Sequence, residues 1–215
     1  MSMISDLRGQ LTSAEQWPEY DLVSGDYVPR VSAVGNRRLA AVMIALNDRG
    51  TQSGAGPIEI LLTRRAAHMR HHPGQISFPG GGQDGAETPA QTAVRETAEE
   101  VGIPAENLDI LGALPALHAP RTNHWVVPVV SRVTGTPSLV LNSDEVASAH
   151  WVDVLALADP HHRVTWRRSH YSGPGFLVDG KLVWGFTATL CDQLLDRAGL
   201  ALAWASRRVI DVDAG

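Results

Sequence analysis

The sequence predicts a protein of the α/β or α+β class, layered around a mixed β-sheet. Two apolar runs, Leu39–Leu46 and Ile58–Thr63, have the length and aliphatic content of buried strands. Two other segments, residues 89–101 and Thr187–Arg197, repeat apolar residues at helical spacing. Strand and helix candidates follow one another without regular βαβ alternation, and this order favours layering around a mixed sheet.

The remaining elements are shorter and can be placed in chain order. A short helix is predicted at Ile4–Leu11, inside an N-terminal extension, residues 1–36, whose role the sequence does not indicate. Asn47–Pro57 is rich in Gly, Ser and Asn, which predicts a flexible loop between the first two strands. A polar loop is expected at His118–His124 and a short helix around Val154–Ala158. Further short strands are predicted at Leu108–Leu114, Trp125–Val130, Leu139–Leu141, Val164–His170, Phe176–Val178 and Lys181–Trp184.

The helix at residues 89–101 carries signals at both ends. Thr88 and Gln91 have the spacing of a capping box, and Pro89 occupies the first helical position. Gly102 is suited to the left-handed conformation that ends a helix. One face is expected to pack on the core, and it consists of Ala90, Val94, Thr97 and Val101.

Composition limits the class of protein. The chain has 215 residues, 44% of them hydrophobic and 19% charged, as in an ordinary globular domain. Its net charge of −5 gives no reason to expect a nucleic-acid partner, which needs clustered Lys and Arg. The longest apolar run, Leu39–Leu46, is too short to span a bilayer. A single cysteine, Cys191, excludes an intramolecular disulfide. We therefore expect a soluble, cytoplasmic protein without membrane contact.

A group of charged residues and glycines between positions 81 and 102 points to chemistry. Its members are Gly81, Glu87, Arg95, Glu96, Glu99, Glu100 and Gly102. At 3.6 residues per turn, Glu96, Glu99 and Glu100 lie within about 100° of one another, opposite the core face. Like charges at this spacing repel one another, so a cation among them would stabilise the helix. The alternative is a solvated helix face, which is where most charged residues lie.

This pattern closely resembles the Nudix box, Gly-x5-Glu-x7-Arg-Glu-U-x-Glu-Glu-x-Gly-U, in which U is aliphatic. The only departure is Thr97, at a position that is usually aliphatic. The resemblance implies the Nudix fold, a mixed β-sheet sandwiched between helices. It implies a Nudix hydrolase domain over residues 37–200, followed by a C-terminal tail at residues 201–215.

The stretch just before this group is strongly basic. Between Ile60 and Gln83 the chain has no acidic residue. The cationic and titratable residues there are Arg64, Arg65, Arg70, His68, His71 and His72. In a chain of negative net charge, such a stretch provides the local positive field that a polyanionic ligand needs. An ordinary basic surface loop is the alternative, above all for Arg64 and the histidines.

Residues 61–81, the signature segment, resemble a motif of the coenzyme A pyrophosphatase branch of the Nudix hydrolases. The matching residues are Leu61, Leu62, Thr63, Arg65, Ala66, Arg70, Gly74, Phe78, Pro79, Gly80 and Gly81. The resemblance implies hydrolysis of the diphosphate of coenzyme A, or of a derivative, to 3′,5′-ADP and 4′-phosphopantetheine. Two alternatives stay open: a Nudix pyrophosphatase for ADP-ribose or NADH, and a non-catalytic module that senses a nucleotide.

The resemblance also implies roles for individual residues, with Mg²⁺ or Mn²⁺ as cofactor. Carboxylates suit these hard ions, and Glu96 and Glu100, one turn apart, are the best ligands, followed by Glu99. The Gly80 carbonyl is expected to complete the metal shell. Arg95 is expected to orient a catalytic glutamate, and Glu87 to brace the loop against the helix. The substrate phosphates are expected to bind Arg65, Arg70 and the backbone at Gly81.

The general base is the least determined role. Nudix enzymes take it from the box helix or from a later loop, so Glu99 is the first candidate and Glu145 the second. For Glu145 the alternative is a structural role in the turn before Val146.

The nine histidines do not predict a zinc site. The pairs His71-His72 and His161-His162 are adjacent in sequence, so their side chains diverge, and the chain has no Cys-x2-Cys motif. The oligomeric state stays open, although homodimers are common among related enzymes.

Overall fold

The fold is described by a computed structural model covering residues 3–15, 38–48, 57–119, 122–203 and 207–212. The α-helices in these ranges are α1 (Met3–Arg8), α2 (Pro89–Val101), α3 (Val154–Ala158) and α4 (Gly185–Arg197). The first strands are β1 (Arg38–Asn47), β2 (Glu59–Arg65), β3 (Ile76–Ser77), β4 (Gly80–Gly82), β5 (Leu108–Ala113) and β6 (Leu117–Ala119). The later strands are β7 (His124–Val133), β8 (Val146–Asp153), β9 (Arg163–Arg168), β10 (Tyr171–Val178), β11 (Lys181–Val183) and β12 (Val209–Asp211).

These strands form two sheets, both of mixed direction. The larger sheet has the order β3-β2-β1-β7-β5, with β4 paired to β1, β6 to β7 and β8 to β2. Its β1 and β7 are parallel, and its other pairs are antiparallel. The smaller sheet has the order β11-β10-β9-β12, and β12 runs parallel to β9. The predicted class with a mixed sheet is confirmed.

Each face of the larger sheet is covered by a different layer. Because successive side chains of a strand point to opposite faces, Met43 and Ile44 of β1 enter different hydrophobic clusters. Met43 packs with Ala93 and Val101 of α2. Ile44 belongs to the cluster that holds α3, α4 and the smaller sheet, and Leu7 of α1 is buried there too. The site described below lies on the α2 side.

The structure corrects two sequence predictions. Leu139–Leu141 is not a strand, because the Val140 N–H donates to the Val101 carbonyl at the end of α2, at 3.0 Å. The expected polar loop His118–His124 is interrupted, since β6 extends to Ala119 and β7 begins at His124. The strand β8 was not predicted at all.

Several expectations fall partly outside the described residues. The predicted loop Asn47–Pro57 includes residues 49–56, and the N-terminal extension includes residues 16–37, all outside the described ranges. The described part of the C-terminal segment contributes β12, in which Val209 pairs with Thr165 of β9. Every helix in the described ranges is too short or too polar to cross a membrane.

Candidate active site

The glycines of β4 let the chain pass between β1 and α2. Gly80 has a φ of 156°, and a Cβ there would lie 2.6 Å from the Val42 Cα atom. A Cβ on Gly81 would lie 2.8 Å from Oε2 of Glu96, closer than two such atoms can approach. Only glycine fits at position 80, whereas a side chain at position 81 would displace the Glu96 carboxylate, so the backbone of β4 lies directly against the carboxylates of α2.

The helix α2 begins and ends as the sequence predicts. The Thr88 hydroxyl accepts from the Gln91 N–H at 3.2 Å, and the Gln91 side chain accepts from the Thr88 N–H at 2.9 Å. Gly102 has a φ of 74°, and its N–H donates to the Ala98 carbonyl at 3.1 Å. These caps hold both helix ends, so the carboxylates of α2 project from a defined element.

Arg95 is the centre of a network of charge-assisted hydrogen bonds. It donates from Nε to Glu87 Oε1 at 2.8 Å and from Nη2 to Glu87 Oε2 at 3.1 Å. Nη1 donates to Glu96 at 2.8 Å and to Glu99 at 3.1 Å, and Nη2 donates to the Gly82 carbonyl at 2.9 Å. The hydrogen bonds from Arg95 hold the pKa of Glu87 at about 2. Arg95 thus links three carboxylates to β4.

Glu87 connects this network to the loop before α2. Besides Arg95, its carboxylate accepts from the Asp84 N–H and from the Thr92 hydroxyl, each at 3.0 Å. These contacts join the loop, the first turn of α2 and Arg95 through one side chain. They are the contacts expected of a residue that braces the loop against the helix.

Glu100 is the most deeply buried carboxylate of the group. Only 2% of the residue is exposed, and its Oε2 accepts from the Gly80 N–H at 3.3 Å. Burial raises the pKa of Glu100 to about 8, although the positive charge of Arg65 opposes the shift. Burial also raises the pKa of Glu96, against the opposing hydrogen bond from Arg95. Both side chains therefore lie where a negative charge is costly unless a cation balances it.

Residues far apart in sequence meet these glutamates. The negative charge of Glu145, in the loop before β8, is near enough to raise the pKa of both Glu96 and Glu100 further. Arg65, at the end of β2, brings its positive charge to Glu100, while its Nε donates to the His71 carbonyl at 3.3 Å. We call Glu96, Glu99, Glu100 and Glu145 the carboxylate cluster.

Three other predicted site residues are Glu99, Arg70 and Gly80. Glu99 is the exposed member of the cluster, with 56% of its side chain accessible, and it shares the Arg95 guanidinium with Glu96. Arg70 is exposed, and in the described part of the chain no hydrogen bond or ion pair joins it to the cluster. Gly80 presents its amide to Glu100, whereas the sequence analysis considered its carbonyl.

Sequence reasoning missed Asn142, whose side-chain Nδ2 lies 3.5 Å from Oε1 of Glu145. A local signal for a turn was present in the sequence, because an Asn side chain commonly accepts a hydrogen bond from the backbone N–H two residues later. The Asn142 Oδ1 does accept from the Asp144 N–H, at 3.2 Å.

Comparison with known proteins identifies the family. The family model described as NUDIX domain matches residues 36–172. The chain belongs to the Nudix family. Its relatives include a protein named uncharacterized Nudix hydrolase NudL of Enterobacter sp. (strain 638), 35% identical over 84% of this chain and 97% of that protein. Another is the peroxisomal coenzyme A diphosphatase ndx-8 of Caenorhabditis elegans, 35% identical over 71% of this chain and 65% of that protein.

Solved structures resemble the fold of this Nudix protein. A MutT/nudix family protein from Enterococcus faecalis is matched over 81% of this chain and 65% of that chain, with 20% identity and a TM-score of 0.51. At this level of identity the likeness supports the fold alone, and it agrees with the Nudix fold expected from the box.

The one departure from the Nudix box has a local explanation. Thr97 is fully buried, and its hydroxyl donates to the Ala93 carbonyl one turn earlier, at 2.7 Å. The polar atom is thereby satisfied inside the helix, so the side chain presents its methyl group to the core as an aliphatic residue would.

Nudix hydrolases generally require a divalent cation, and the residues that offer suitable donors are those of the carboxylate cluster. As the side chains lie, no three Asp, Glu, His or Cys residues in the described ranges converge as metal ligands. The reason is that Arg95 holds Glu96 and Glu99, while the Gly80 amide holds Glu100. Carboxylate oxygens are nevertheless the donors that hard divalent ions prefer. Burial raises the pKa of both Glu96 and Glu100, and a cation bound between them would offset the cost of their buried negative charges.

Proposed function

We propose that this Nudix protein hydrolyses the diphosphate bond of coenzyme A or of one of its derivatives, with Mg²⁺ or Mn²⁺ as cofactor. The observation that carries the proposal is the 3.3 Å hydrogen bond from the Gly80 N–H to Oε2 of Glu100, a carboxylate on which the positive charge of Arg65 also acts. Gly80 and Arg65 belong to the signature segment and Glu100 to the Nudix box, so residues of both motifs lie at one site. The 35% identity to a protein named as a coenzyme A diphosphatase supports the same substrate class.

The metal ligands we propose are Glu96 and Glu100, with Glu99 and the Gly80 carbonyl as additional donors. The bound ion would polarise the diphosphate, lower the pKa of the attacking water and neutralise the leaving phosphate. Arg95 donates to both Glu96 and Glu99 and so sets the orientation of their carboxylates. The buried environment of Glu100 strengthens its interaction with any cation, because little water screens it.

Two glutamates are candidates for the base that takes the proton of the attacking water. Glu99 is exposed to solvent and forms an ion pair with Arg95 at 3.1 Å. Glu145 is half-buried and lies near the buried pair Glu96 and Glu100. The variants Glu99→Gln and Glu145→Gln separate the two candidates. The base is the residue whose substitution removes the rise of kcat with increasing pH on the acidic limb of the pH profile, while the protein still binds the metal.

Water adds to one phosphorus of the diphosphate, and the bond between that phosphorus and the bridging oxygen breaks. The leaving phosphate keeps the bridging oxygen. From coenzyme A the products are 3′,5′-ADP and 4′-phosphopantetheine. The backbone at Gly81, together with Arg65 and Arg70, is proposed to hold the phosphates, since arginine forks match phosphate oxygens.

The decisive experiment is chromatographic product analysis after incubation with coenzyme A, ADP-ribose and NADH, each with Mg²⁺ and with Mn²⁺. Cleavage of coenzyme A to 3′,5′-ADP is expected, and Glu100→Gln should abolish it. Glu106→Gln is the matched control, because Glu106 is exposed and lies after α2. Cleavage of ADP-ribose or NADH alone would refute the substrate, and binding of coenzyme A without any cleavage would point to a nucleotide-sensing module.

The proposed phosphate contacts are tested by comparing coenzyme A with dephospho-coenzyme A, which lacks the ribose 3′-phosphate. If Arg70 contacts that phosphate, Arg70→Gln should raise KM for coenzyme A by about tenfold, the effect of one charge-assisted hydrogen bond. The KM for dephospho-coenzyme A should stay unchanged. Arg64→Gln is the control, since Arg64 is an exposed neighbouring arginine whose Nε donates to the Gly74 carbonyl. Equal effects of Arg70→Gln on both substrates would exclude the 3′-phosphate as its partner.

A further inference from the structure

A loop at residues 139–146, the 139–146 loop, crosses the C-terminal end of α2. The Val140 N–H donates to the Val101 carbonyl, and the Asn142 N–H donates to the Glu100 carbonyl, both at 3.0 Å. The last carbonyl groups of a helix have no partner within the helix, and here the loop supplies one. The backbone of Asn142 is therefore fixed to a residue of the carboxylate cluster.

Every polar group of Asn142 has a partner in this region. Its carbonyl accepts from the Glu145 N–H at 3.0 Å and from the Val146 N–H at 2.8 Å. Its side-chain Oδ1 accepts from the Asp144 N–H, and its Nδ2 lies 3.5 Å from Glu145 Oε1. One residue thus connects the backbone of Glu100 with both the backbone and the carboxylate of Glu145.

The other side of the 139–146 loop is fixed to the signature segment. The Glu145 carbonyl accepts from the Ala66 N–H at 2.8 Å, and the Asp144 carbonyl lies 3.0 Å from Nε2 of His68. The main chain at Glu145 is held from two directions. What these contacts leave undetermined is the direction of the Glu145 side chain, which has several rotatable bonds.

Repulsion would turn that side chain away from the site. Glu145 lies near Glu96 and Glu100, whose charges have the same sign. A half-buried carboxylate in such surroundings is stabilised there only by a donor or a cation. The Nδ2 of Asn142, 3.5 Å from Oε1 of Glu145, is such a donor, and the backbone of Asn142 is itself bonded to Glu100 of α2.

We propose that Asn142 is a positioning residue that holds the Glu145 carboxylate toward Glu96 and Glu100, so that Glu145 can act on the diphosphate bound there. This inference rests on the proposed function of the site. It assigns the two ends of the Asn142 side chain different tasks: Oδ1 shapes the turn, and Nδ2 orients Glu145.

The substitution Asn142→Asp separates these two tasks. Aspartate keeps an acceptor for the Asp144 N–H, so the turn persists, but it loses the donor and faces Glu145 with a second negative charge. Combining Asn142→Asp with Glu145→Gln restores the hydrogen bond in the opposite direction: the side chain at position 145 then donates and the side chain at position 142 accepts. Ser143→Asp is the matched control, because it adds the same charge to an exposed position of the same turn.

Two measurements are made on each protein. With Mg²⁺ and coenzyme A, kcat of Asn142→Asp should fall about tenfold or more while KM stays within about twofold. In the Glu145→Gln background the same substitution should cause no further fall. Without metal or substrate, the urea midpoint of Asn142→Asp should fall by roughly 0.5 M, and the double variant should recover it. Ser143→Asp should leave both quantities unchanged.

The inference is overturned if Asn142→Asp keeps the wild-type kcat, or if its effects are equal in both backgrounds. The variant Asn142→Ser guards against a folding defect, since serine also accepts from the Asp144 N–H without adding charge, and its kcat should fall as well. If the wild-type protein cleaves ADP-ribose but not coenzyme A, the proposed function fails alone, and the same kcat ratios on ADP-ribose decide the role of Asn142. A wild-type protein that cleaves neither overturns both.

Discussion

Helices α2 and α4 both have thirteen residues and belong to the hydrophobic clusters on opposite faces of the larger sheet, yet they differ in what they bury. The buried positions of α4 are mostly apolar, with Leu190, Cys191, Leu194 and Leu195 at most 1% exposed. Those of α2 include Thr92, Thr97 and Glu100. Burial of apolar side chains stabilises α4, whereas burial of Glu100 costs free energy in α2.

The two helices also differ in how their N-terminal ends are capped. A reciprocal capping box begins α2, while Trp184, the residue before α4, makes no side-chain capping bond. A helix whose buried face is mostly apolar is stabilised chiefly by packing, even without a side-chain cap. A helix that presents charges to its own sheet depends more on local signals and on a network such as that of Arg95. The apolar packing of α4 and the charged network of α2 therefore lie on different faces of the same sheet.

Removing the buried charge should have the largest effect of any single change. We expect Glu100→Gln to reduce kcat/KM at least a hundredfold, because Glu100 is a proposed ligand of the ion that would stabilise the developing charge. Asp196→Asn removes a carboxylate from the exposed face of α4 and should leave kcat/KM unchanged. The comparison fails if the two variants lose similar activity in steady-state assays with saturating Mg²⁺.

A substitution in the buried face of α4 should lower stability and leave activity nearly unchanged. Leu194→Ala leaves a cavity beside Phe176 and its neighbours in the same cluster, and should lower the free energy of unfolding by about 2–5 kcal/mol. Because α4 lies away from the carboxylate cluster, kcat of the folded variant should remain within about twofold of wild type. Urea unfolding and kinetics on the same preparation test this. A large loss of kcat at full stability would show that the two faces are coupled.

The free energy of unfolding of the metal-free protein should also depend on pH. The cause lies in Glu100 of α2 and not in the apolar core around α4. Since burial raises the pKa of Glu100 from 4.5 to about 8, the folded state holds a proton that the unfolded state releases between these values. Stability should therefore be highest below pH 4.5 as far as Glu100 is concerned. It should fall as pH rises toward 8, by up to about 1.4 kcal/mol per pH unit.

Glu100→Gln cannot bind or release this proton and should flatten the dependence between pH 5 and pH 8. Added Mg²⁺ should reverse the trend in the wild-type protein, because it binds the ionised form. Urea midpoints measured with a chelator at several pH values check both statements. Parallel pH curves for the wild type and Glu100→Gln would show that the burial of Glu100 does not govern this stability.

The accuracy of sequence reasoning differed between local and long-range features. The capping residues Thr88, Gln91 and Gly102 act within one turn of the chain, so their pattern predicted both ends of α2. The strand β8 escaped prediction because its central Ala-Ser-Ala-His stretch has low strand propensity. Pairing with the apolar strand β2 decides its conformation, for example between Val152 and Ile60.

The candidate site shows the same limit. The spacing of Glu96, Glu99 and Glu100 on a helix follows from periodicity alone, and so does the bond from Arg95 to Glu99. The electrostatic effect of Arg65 on Glu100 depends on where the fold places β2 and α2, which no spacing encodes. The burial that distinguishes Glu100 from exposed Glu99 likewise arises only when β4 packs on the helix.

The smallest effect is expected at the one place where the inner face of α2 departs from the Nudix box. Thr97→Val exchanges a hydroxyl for a methyl group of the same shape in a fully buried position. The lost bond ends on the Ala93 carbonyl, which keeps its main-chain hydrogen bond within the helix, so no buried group is left without a partner. The free energy of unfolding should change by less than about 1 kcal/mol, and kcat should not change. Valine at position 97 would match the aliphatic residue that is usual in the family. A loss of activity in Thr97→Val, measured beside Leu194→Ala, would therefore mean that the buried face of α2 does more than pack against the sheet.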